Sequence, residues 1–445
     1  MTRSRATRPP VARRWSGALL AGGALVLAAC SPSELDLRQQ SELSQIFERH
    51  SGRIAYMDVD GNIYTVDQRG SGQENVTADA VLPSDGQGLL RYYQFPVWAP
   101  SGERLAFVRI QGVGQQATST AVITTDPDGT AATEAFTSGE ALPNYLYWSP
   151  DSAHLTFVTN AGTGAAWSLQ LVPEGGGEAT VVDAGSPLYW CWTPDGQTVL
   201  IHAGGSGISS RSRIAFVNVF GYLYEEGLQL RPGPFRAPGC SPHGDRILVA
   251  AQSGGQSSLI MTSRSGDVLE AIGRSDNALT FSWSPDGQRV AYVGQEGPIG
   301  DLHVVDVASP DAEPLAITDQ QLVMAFFWSP DSEKIAYFVQ HTPPPDPENP
   351  DAEQPFQLTL LIHNLRKEET REVFSFRPAP HFMDVVLNFD QYSQSVRIWS
   401  PNSRHVLFSL LMPESNLPVI AVAKADSRLY PAGVVRGLVG FWSWQ

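Results

Sequence analysis

Three cysteines carry the most reactive side chains of this chain, and they fall into two groups. Cys30 ends a short apolar run near the N-terminus, whereas Cys191 and Cys240 lie in the middle of the sequence. A cysteine thiolate is a nucleophile, so it can form a thioether with a lipid or a disulfide with a second thiol. The surroundings of each cysteine indicate which of these reactions to expect.

The residues before Cys30 have the order of an export signal. Residues 1–14 are basic, residues 17–29 are apolar, and small residues precede the cysteine, as in a secretory signal peptide. The apolar run is too short for a transmembrane helix. Leu27-Ala28-Ala29-Cys30 resembles the lipobox of bacterial lipoproteins, which implies that Cys30 becomes the first residue and carries the lipid. The alternative is an ordinary signal peptide with a chance cysteine.

Cys191 and Cys240 occupy related positions in two consecutive copies of a repeat that runs through the chain. Cys240 stands where other copies have tryptophan, and Cys191 stands one residue before the tryptophan of its own copy. Disulfides persist in exported proteins, but a disulfide requires Cα atoms within about 7 Å. Successive side chains of a strand point to opposite faces of the sheet. The two thiols therefore point either towards each other or away from each other, depending on which face of its sheet each one occupies. A Cys191–Cys240 disulfide and two buried free thiols are therefore both open.

Motifs for catalytic chemistry are missing from the sequence. The nearest match to the nucleophile elbow Gly-x-Ser-x-Gly is Gly204–Ile208, which lacks the final glycine. No two histidines have the close spacing of zinc ligands, and no glycine-rich loop for a phosphate or a dinucleotide is present. We therefore expect no catalytic residue, no metal and no cofactor, and we predict that the chain is not an enzyme.

The element that positions these residues is a repeated unit of tryptophan, turn and strand. In Trp283–Val293 the unit reads Trp-Ser-Pro-Asp-Gly-Gln-Arg-Val-Ala-Tyr-Val, a polar turn followed by a strand of alternating character. Proline fixes φ, and Asp-Gly or Asn-Ser supplies the turn geometry. The tryptophan ends the preceding strand and buries a large area between sheets. The tryptophans that define the repeat are Trp98, Trp148, Trp192, Trp283, Trp328, Trp399 and Trp442.

This repeat predicts an all-β ring. Each unit contains runs for four strands, and four-stranded units repeated radially form a β-propeller. The turns are about 43 to 51 residues apart, except for one gap of about 71, which is within the range of WD40-like propeller repeats. The first copy lacks its tryptophan strand, whereas residues 440–445 supply one with nothing after it. We predict eight four-stranded blades, closed by a C-terminal strand that completes the first blade.

The long gap contains a proline-rich acidic segment at about residues 341–356. Such a segment cannot bury enough apolar surface to pack, so we predict an extended loop between two strands of the seventh blade. The predicted organisation is a signal peptide at residues 1–29, a lipidated cysteine and tether at residues 30–50, and the propeller at residues 51–445.

The Trp-Ser-Pro-Asp-Gly turn and the strand Arg289–Val293 resemble the TolB-type propeller repeat. They are also similar to the propellers of tricorn and of prolyl-oligopeptidase-type peptidases. The resemblance covers roughly residues 51–445 and implies the fold, but a fold does not imply a function. TolB itself has six blades after an α/β domain. This chain has eight predicted blades and only about 20 residues between Cys30 and the first.

The charge of the chain excludes one class of partner. The formal net charge is −16, and it becomes −21 from Cys30 onward because residues 1–29 contain five arginines and no acidic residue. Nucleic acids attract basic surfaces, so we expect no nucleic-acid partner. A low proportion of charged residues, 17%, together with 10% aromatic residues indicates a chain that buries a large core.

Together these patterns favour a non-catalytic, membrane-anchored binding or scaffolding module in the bacterial cell envelope. Through Cys30 it would contact membrane lipid on the side facing away from the cytoplasm. Its partner would be an envelope protein or an unknown ligand, bound at the loops of one mouth of the ring or in the central channel. The alternative is a propeller enzyme that acts on carbohydrate or another small ligand in the channel.

Overall fold

The repeat units fold as eight antiparallel sheets around a ring in the computed structural model. The structure describes residues 51–445 except 84–85, 161–166, 205–211, 221–223, 229, 254–255, 276–278, 297–298, 310–312 and 342–354. The predicted eight-bladed β-propeller is confirmed. Cys30, the predicted signal peptide and the predicted tether lie outside the described residues, as do most of the acidic loop and residues 205–208.

The blades follow one another along the chain, and within each blade except the eighth the strand that ends at the tryptophan position is innermost. The first four blades contain β1 (Ile54–Met57), β2 (Ile63–Val66) and β3 (Glu74–Asn75); β4 (Leu89–Trp98), β5 (Leu105–Val113), β6 (Gln116–Thr125) and β7 (Thr133–Ser138); β8 (Leu142–Trp148), β9 (His154–Asn160), β10 (Trp167–Pro173) and β11 (Thr180–Gly185); and β12 (Leu188–Trp192), β13 (Thr198–Ala203), β14 (Arg213–Asn218) and β15 (Tyr224–Gly227).

The other four blades are built in the same order, and the last strand of the chain returns to the first blade. They contain β16 (Gly239–Cys240), β17 (Arg246–Ser253), β18 (Gln256–Ser263) and β19 (Val268–Ser275); β20 (Leu279–Trp283), β21 (Arg289–Glu296), β22 (Ile299–Asp306) and β23 (Leu315–Ala316); β24 (Val323–Trp328), β25 (Lys334–His341), β26 (Gln357–Asn364) and β27 (Glu369–Phe376); and β28 (His405–Leu411), β29 (Pro418–Lys424) and β30 (Ala432–Arg436), followed by β31 (Val439–Trp442).

The ring closes through β31, as predicted. This strand pairs antiparallel with β1, in a register that places Ile54 opposite Trp442 and Met57 opposite Val439. The pairing makes β31 the innermost strand of the first blade, whose order is β3-β2-β1-β31. Both ends of the propeller are therefore held in one sheet.

The eighth blade departs from the pattern. It has three strands, and its innermost position holds only an isolated bridge between Trp399 and Val406. Two helices come before this position, α1 (Pro380–Leu387) and α2 (Phe389–Ser395). The repeat pattern does not predict these helices, because it accounts for the long gap with the acidic loop alone. None of the helices in the described part of the chain is long and apolar enough to cross a membrane.

The tryptophans of the repeat join neighbouring blades by hydrogen bonds as well as by packing. In four blades the indole N–H donates to the backbone carbonyl of the residue just before the tryptophan position of the preceding blade. This position therefore uses the N–H of tryptophan as well as its large apolar area. The four bonds run from Trp98 to Phe441 (3.2 Å), Trp148 to Val97 (3.2 Å), Trp283 to Gly239 (3.1 Å) and Trp399 to Phe327 (2.9 Å).

The turn after each tryptophan is held by its own side chains. In the sixth blade, Ser284 Oγ donates to Asp286 Oδ1 at 2.6 Å and accepts the N–H of Arg289 at 2.9 Å. In the seventh blade a serine, Ser332, replaces the turn glycine and adopts φ of 59°. Its hydroxyl accepts the N–H of Asp286 from the preceding blade at 3.1 Å. A serine at this turn position adopts a positive φ that glycine would adopt without strain. In return, its hydroxyl forms a hydrogen bond to the neighbouring blade.

Candidate functional site

Helix α2 lies in the central channel of the ring. The ring of Phe389 contacts the rings of Phe326 and Phe327 in the seventh blade, with centroids 4.5 and 5.2 Å apart. On the other side, Tyr392 packs against Phe95 of the second blade and Tyr145 of the third at 5.9 and 5.2 Å. Since these blades stand on different sides of the ring, α2 closes the channel at this level.

Gln391 fixes α2 to the innermost strand of the fourth blade. Its Oε1 accepts the backbone N–H of Trp190 at 3.1 Å, and its Nε2 donates to the carbonyl of the same residue at 3.3 Å. The side-chain amide thereby makes the pair of bonds that a neighbouring strand would make. Gln391 is fully buried, so these two bonds satisfy polar groups that water does not reach.

Asp390 is the buried acid of the channel. Its Oδ2 accepts the backbone N–H of Ala237, which precedes the fifth blade, at 3.0 Å. Burial raises the pKa of the Asp390 carboxyl above its ordinary value, and the nearby charge of Arg236 opposes this effect. The carboxyl therefore holds α2 against the ring at an energetic cost when it is ionised.

A cavity of about 420 Å³ opens at the face of the ring that carries the Trp-Ser-Pro-Asp-Gly turns. Its floor is formed by the end of α2 and the residues that follow it, 393–398. This volume is within the range of ligand pockets, about 300–1,000 Å³. The wall consists of aromatic and proline side chains from all eight blades. They include Trp98, Trp148, Trp192, Trp283, Trp328, Trp399 and Trp444, with Tyr147, Phe281, Phe326 and Phe327 and the prolines Pro100, Pro150, Pro194, Pro238, Pro242, Pro285 and Pro330.

Arg397 is the single charged residue among the described residues that line the cavity. Its guanidinium carbon lies 3.9 Å from the centroid of the Trp444 ring, a cation–π contact. No acidic residue in the described part of the chain forms an ion pair with it. Burial lowers the pKa of the Arg397 guanidinium to about 10, so the side chain remains positively charged near neutral pH.

The structure brings six of the seven predicted tryptophans together around the cavity, namely Trp98, Trp148, Trp192, Trp283, Trp328 and Trp399. The seventh, Trp442, is fully buried in the first blade, and Trp444 takes the corresponding place on the wall. Sequence reasoning did not identify Trp444, Arg397 or α2 as parts of a site. The extra tryptophan after Trp442 was the one visible signal.

The two cysteines of the propeller form a disulfide beside the cavity. The sulfur atoms of Cys191 and Cys240 are 2.07 Å apart, and the Cα atoms are 5.9 Å apart. The bond joins the innermost strands of the fourth and fifth blades, and Cys240 lines the cavity. In the fifth blade a covalent bond therefore stands where other blades have the tryptophan. Across the described residues, no group of three or more His, Cys, Asp or Glu is placed to hold a metal ion.

Comparison with known proteins supports the fold more than a function. No family model matches the chain. A stretch of 203 residues is 26% identical to the uncharacterized peptidase YuxL of Bacillus subtilis, and the match covers 44% of this chain and 28% of the peptidase. The chain thus spans less than a third of the length of that relative.

Solved structures include propellers with low sequence identity. A eukaryotic initiation factor is 12% identical, covers 89% of this chain and 98% of its own, and has a TM-score of 0.50. TolB from Acinetobacter baumannii is 14% identical, covers 80% of this chain and 82% of its own, and has a TM-score of 0.38. At 12% identity the likeness to the initiation factor shows the fold alone. TolB, whose repeat this sequence resembles, is among the solved structures found, with a TM-score below 0.5.

One functional prediction is wrong. The absence of catalytic motifs predicts that the chain is not an enzyme, but a relative found by sequence, YuxL, is named as a peptidase. Motifs identify only those catalytic groups that lie close together in sequence. A ring brings residues from distant repeats into one place, so motif searches are a poor test of catalysis in this fold.

The buried carboxyl of Asp390 predicts how stability depends on pH. Because burial raises its pKa, the folded protein binds this proton more tightly than the unfolded chain does. The stability from protonation is present at low pH and is lost as pH rises through the folded pKa. Asp390→Asn, which keeps an oxygen for the Ala237 N–H, should therefore raise the free energy of unfolding near pH 7, because a neutral amide avoids the cost of burying an ionised carboxylate.

Urea unfolding of the wild type and Asp390→Asn at pH 4.5 and pH 7.5 measures this effect. Ser415→Ala, in the exposed hairpin before β29, serves as the control. The gain from Asp390→Asn should be larger at the higher pH. An equal change in the free energy of unfolding at both pH values, or a destabilisation that grows with pH, would contradict the conclusion that burial raises the pKa of Asp390.

Proposed function

We propose that this chain is a binding propeller of the bacterial cell envelope and that it holds its ligand in the cavity on the turn face. The observation that carries the proposal is the cavity itself, which is lined by aromatic side chains from seven blades and by Cys240 and Pro242 from the fifth, with the end of α2 as its floor. Ligand sites are concave and mostly apolar, with a few polar groups that fix orientation. The cavity has this composition.

Helix α2 closes the channel and therefore limits a ligand to one entrance. The rings of Phe389 and Tyr392 contact side chains on different sides of the channel, so a ligand cannot pass through the ring past α2. The cavity is therefore reached from the turn face. The sequence leaves the mouth of the ring and the central channel open as binding sites, and the ligand would occupy the mouth and the part of the channel between the mouth and α2.

The tryptophan wall favours a ligand with an apolar or aromatic body. Indole rings bury large areas and prefer stacked or edge-to-face contacts with other rings. Proline side chains beside them provide rigid apolar surface that loses little entropy on binding. We propose that the ligand is a small molecule or an exposed end of an envelope protein. A cavity of about 420 Å³ has room for a few side chains but not for a folded domain.

The proposed location rests on the N-terminal sequence and on the disulfide. The basic segment, the apolar run and Cys30 resemble a lipoprotein signal, and the Cys191–Cys240 bond is of a kind that persists outside the cytoplasm. The tether would join the propeller on the turn face, since Ser51 Oγ accepts the N–H of Asn402 there at 3.2 Å.

A second candidate function is peptide hydrolysis, and the observation that favours it is the match to the peptidase YuxL. In this case the cavity would hold the peptide during turnover. The match covers 28% of the peptidase, so the activity of that whole protein is only a starting point for an assay. Any peptide that binds in the cavity should also be tested for cleavage.

Filling the cavity tests the proposed function. Ser393→Phe places a ring on the cavity floor, whereas Ser415→Phe adds the same ring to an exposed hairpin outside the cavity. With 5-fluorotryptophan in the purified chain, fluorine NMR can follow a panel of amino acids, short peptides, aromatic acids and oligosaccharides. We expect at least one class to shift tryptophan resonances saturably, and Ser393→Phe to weaken its binding at least about tenfold by steric exclusion. No binding by any class, or binding that survives Ser393→Phe, would reject the cavity as the site.

The lipid anchor has a separate test. Cys30→Ser removes the thiol that a thioether requires, so the protein should lose incorporation of labelled palmitate and move from the membrane to the soluble fraction. The double variant Cys191→Ala/Cys240→Ala changes the other two cysteines and should keep the label. Retention of label and membrane association in Cys30→Ser would refute lipidation at Cys30.

A further inference from the structure

Arg397 is an uncompensated cation at the base of an apolar cavity. It is half-buried and lines the cavity, and no other described lining residue carries a charge. The chain as a whole has a net charge of −16, yet no acidic residue of the described part pairs with this guanidinium. A cation withdrawn from water is costly unless a partner compensates it.

The contacts of Arg397 leave most of its donors for a ligand. The guanidinium carbon lies 3.9 Å from the centroid of the Trp444 ring, a cation–π contact, and no described acceptor forms a hydrogen bond with its N–H groups. The indole N–H of Trp444 donates to the carbonyl of Trp98 at 3.1 Å, so the ring that supports Arg397 is itself fixed. The backbone of Arg397 is also fixed, because its carbonyl accepts the N–H of Trp442 at 2.8 Å.

Nearby polar groups of the lining are occupied by the protein. Gln394 Nε2 donates to the carbonyls of Pro238 and Asp390 at 3.3 and 3.2 Å. The hydroxyls of Ser284 and Ser395 donate to Asp286 and to the carbonyl of Tyr392. The rigidly held guanidinium is therefore the strongest donor that these groups leave for a molecule in the cavity.

We propose that Arg397 binds the carboxylate of a ligand whose apolar or aromatic body packs between the cavity tryptophans. This inference rests on the proposed function, because it takes the cavity as the binding site. An arginine fork matches a carboxylate with two parallel N–H···O bonds. A single cation in an apolar wall suits a monoanion better than a phosphate, which carries more charge and more acceptor oxygens. The carboxylate can belong to a small aromatic acid or to the C-terminus of a peptide.

The test compares matched probes that differ only in charge. N-acetyltryptophan and N-acetyltryptophan amide are titrated by calorimetry into the purified full chain, and a peptide ending in Pro-Trp is titrated with a free and with an amidated C-terminus. We expect each acid to bind about 30-fold or more tightly than its amide, the effect typical of losing one partner of a desolvated charge pair. If only N-acetyltryptophan binds more tightly than its amide, the natural ligand is a small acid. If the peptide with a free C-terminus binds more tightly than the amidated peptide, the natural ligand is the C-terminus of a peptide.

Variants separate the anion site from the cavity. Arg397→Gln should abolish the difference between acid and amide while leaving the melting temperature within a few degrees. Arg404→Gln, an exposed arginine outside the cavity lining, makes the same change in net charge and should preserve the difference. Equal binding of acid and amide, or an unchanged preference in Arg397→Gln, overturns the carboxylate site but keeps the cavity as a binding site. Failure of every acid to bind at millimolar concentration also overturns the carboxylate site, while the broader ligand panel still decides the cavity.

Discussion

Packing of each blade against its neighbours is the interaction on which the structure depends, and in four blades a hydrogen bond from a tryptophan indole to the preceding blade adds to it. A four-stranded blade cannot bury both of its faces alone, so its stability comes from its neighbours. The bond from Trp98 to Phe441 is the same bond made across the join between the two ends of the chain. It ties the second blade to a strand that is 343 residues away in sequence. Without this join the first blade lacks its innermost strand and the ring has two open edges.

The geometry of these tryptophans also produces the candidate site. Because each tryptophan ends an innermost strand, their rings gather at one mouth of the ring, where the wall of the cavity forms. The irregular eighth blade supplies the rest. Its innermost strand is reduced to a bridge at Trp399, and the chain before it enters the channel as α2. One local departure from the repeat thus converts an open channel into a cavity with a floor and one charged group.

Fold and site differ in how well the sequence predicts them. The blades and their closure are predictable because the Trp-Ser-Pro-Asp-Gly unit recurs in register and each copy repeats the same local chemistry. Helix α2 occurs once and has seven residues, too few for a helical pattern to stand out. Its stability comes from distant partners such as Phe326 and Trp190. Arg397 was not predicted for the same reason, since its burial and its missing partner are properties of the closed ring.

Closure by the C-terminal strand can be measured directly. A chain that ends at Gly440 loses Phe441 and Trp442, which are both buried in the first blade. Since loss of a buried aromatic side chain costs about 3–5 kcal/mol, the deficit should approach the whole stability of a typical protein, about 5–15 kcal/mol. Thermal unfolding should therefore show a much lower melting temperature or no cooperative transition, whereas a chain that lacks only the exposed Gln445 should behave like the intact protein. An unchanged melting temperature after removal of residues 441–445 would contradict the account.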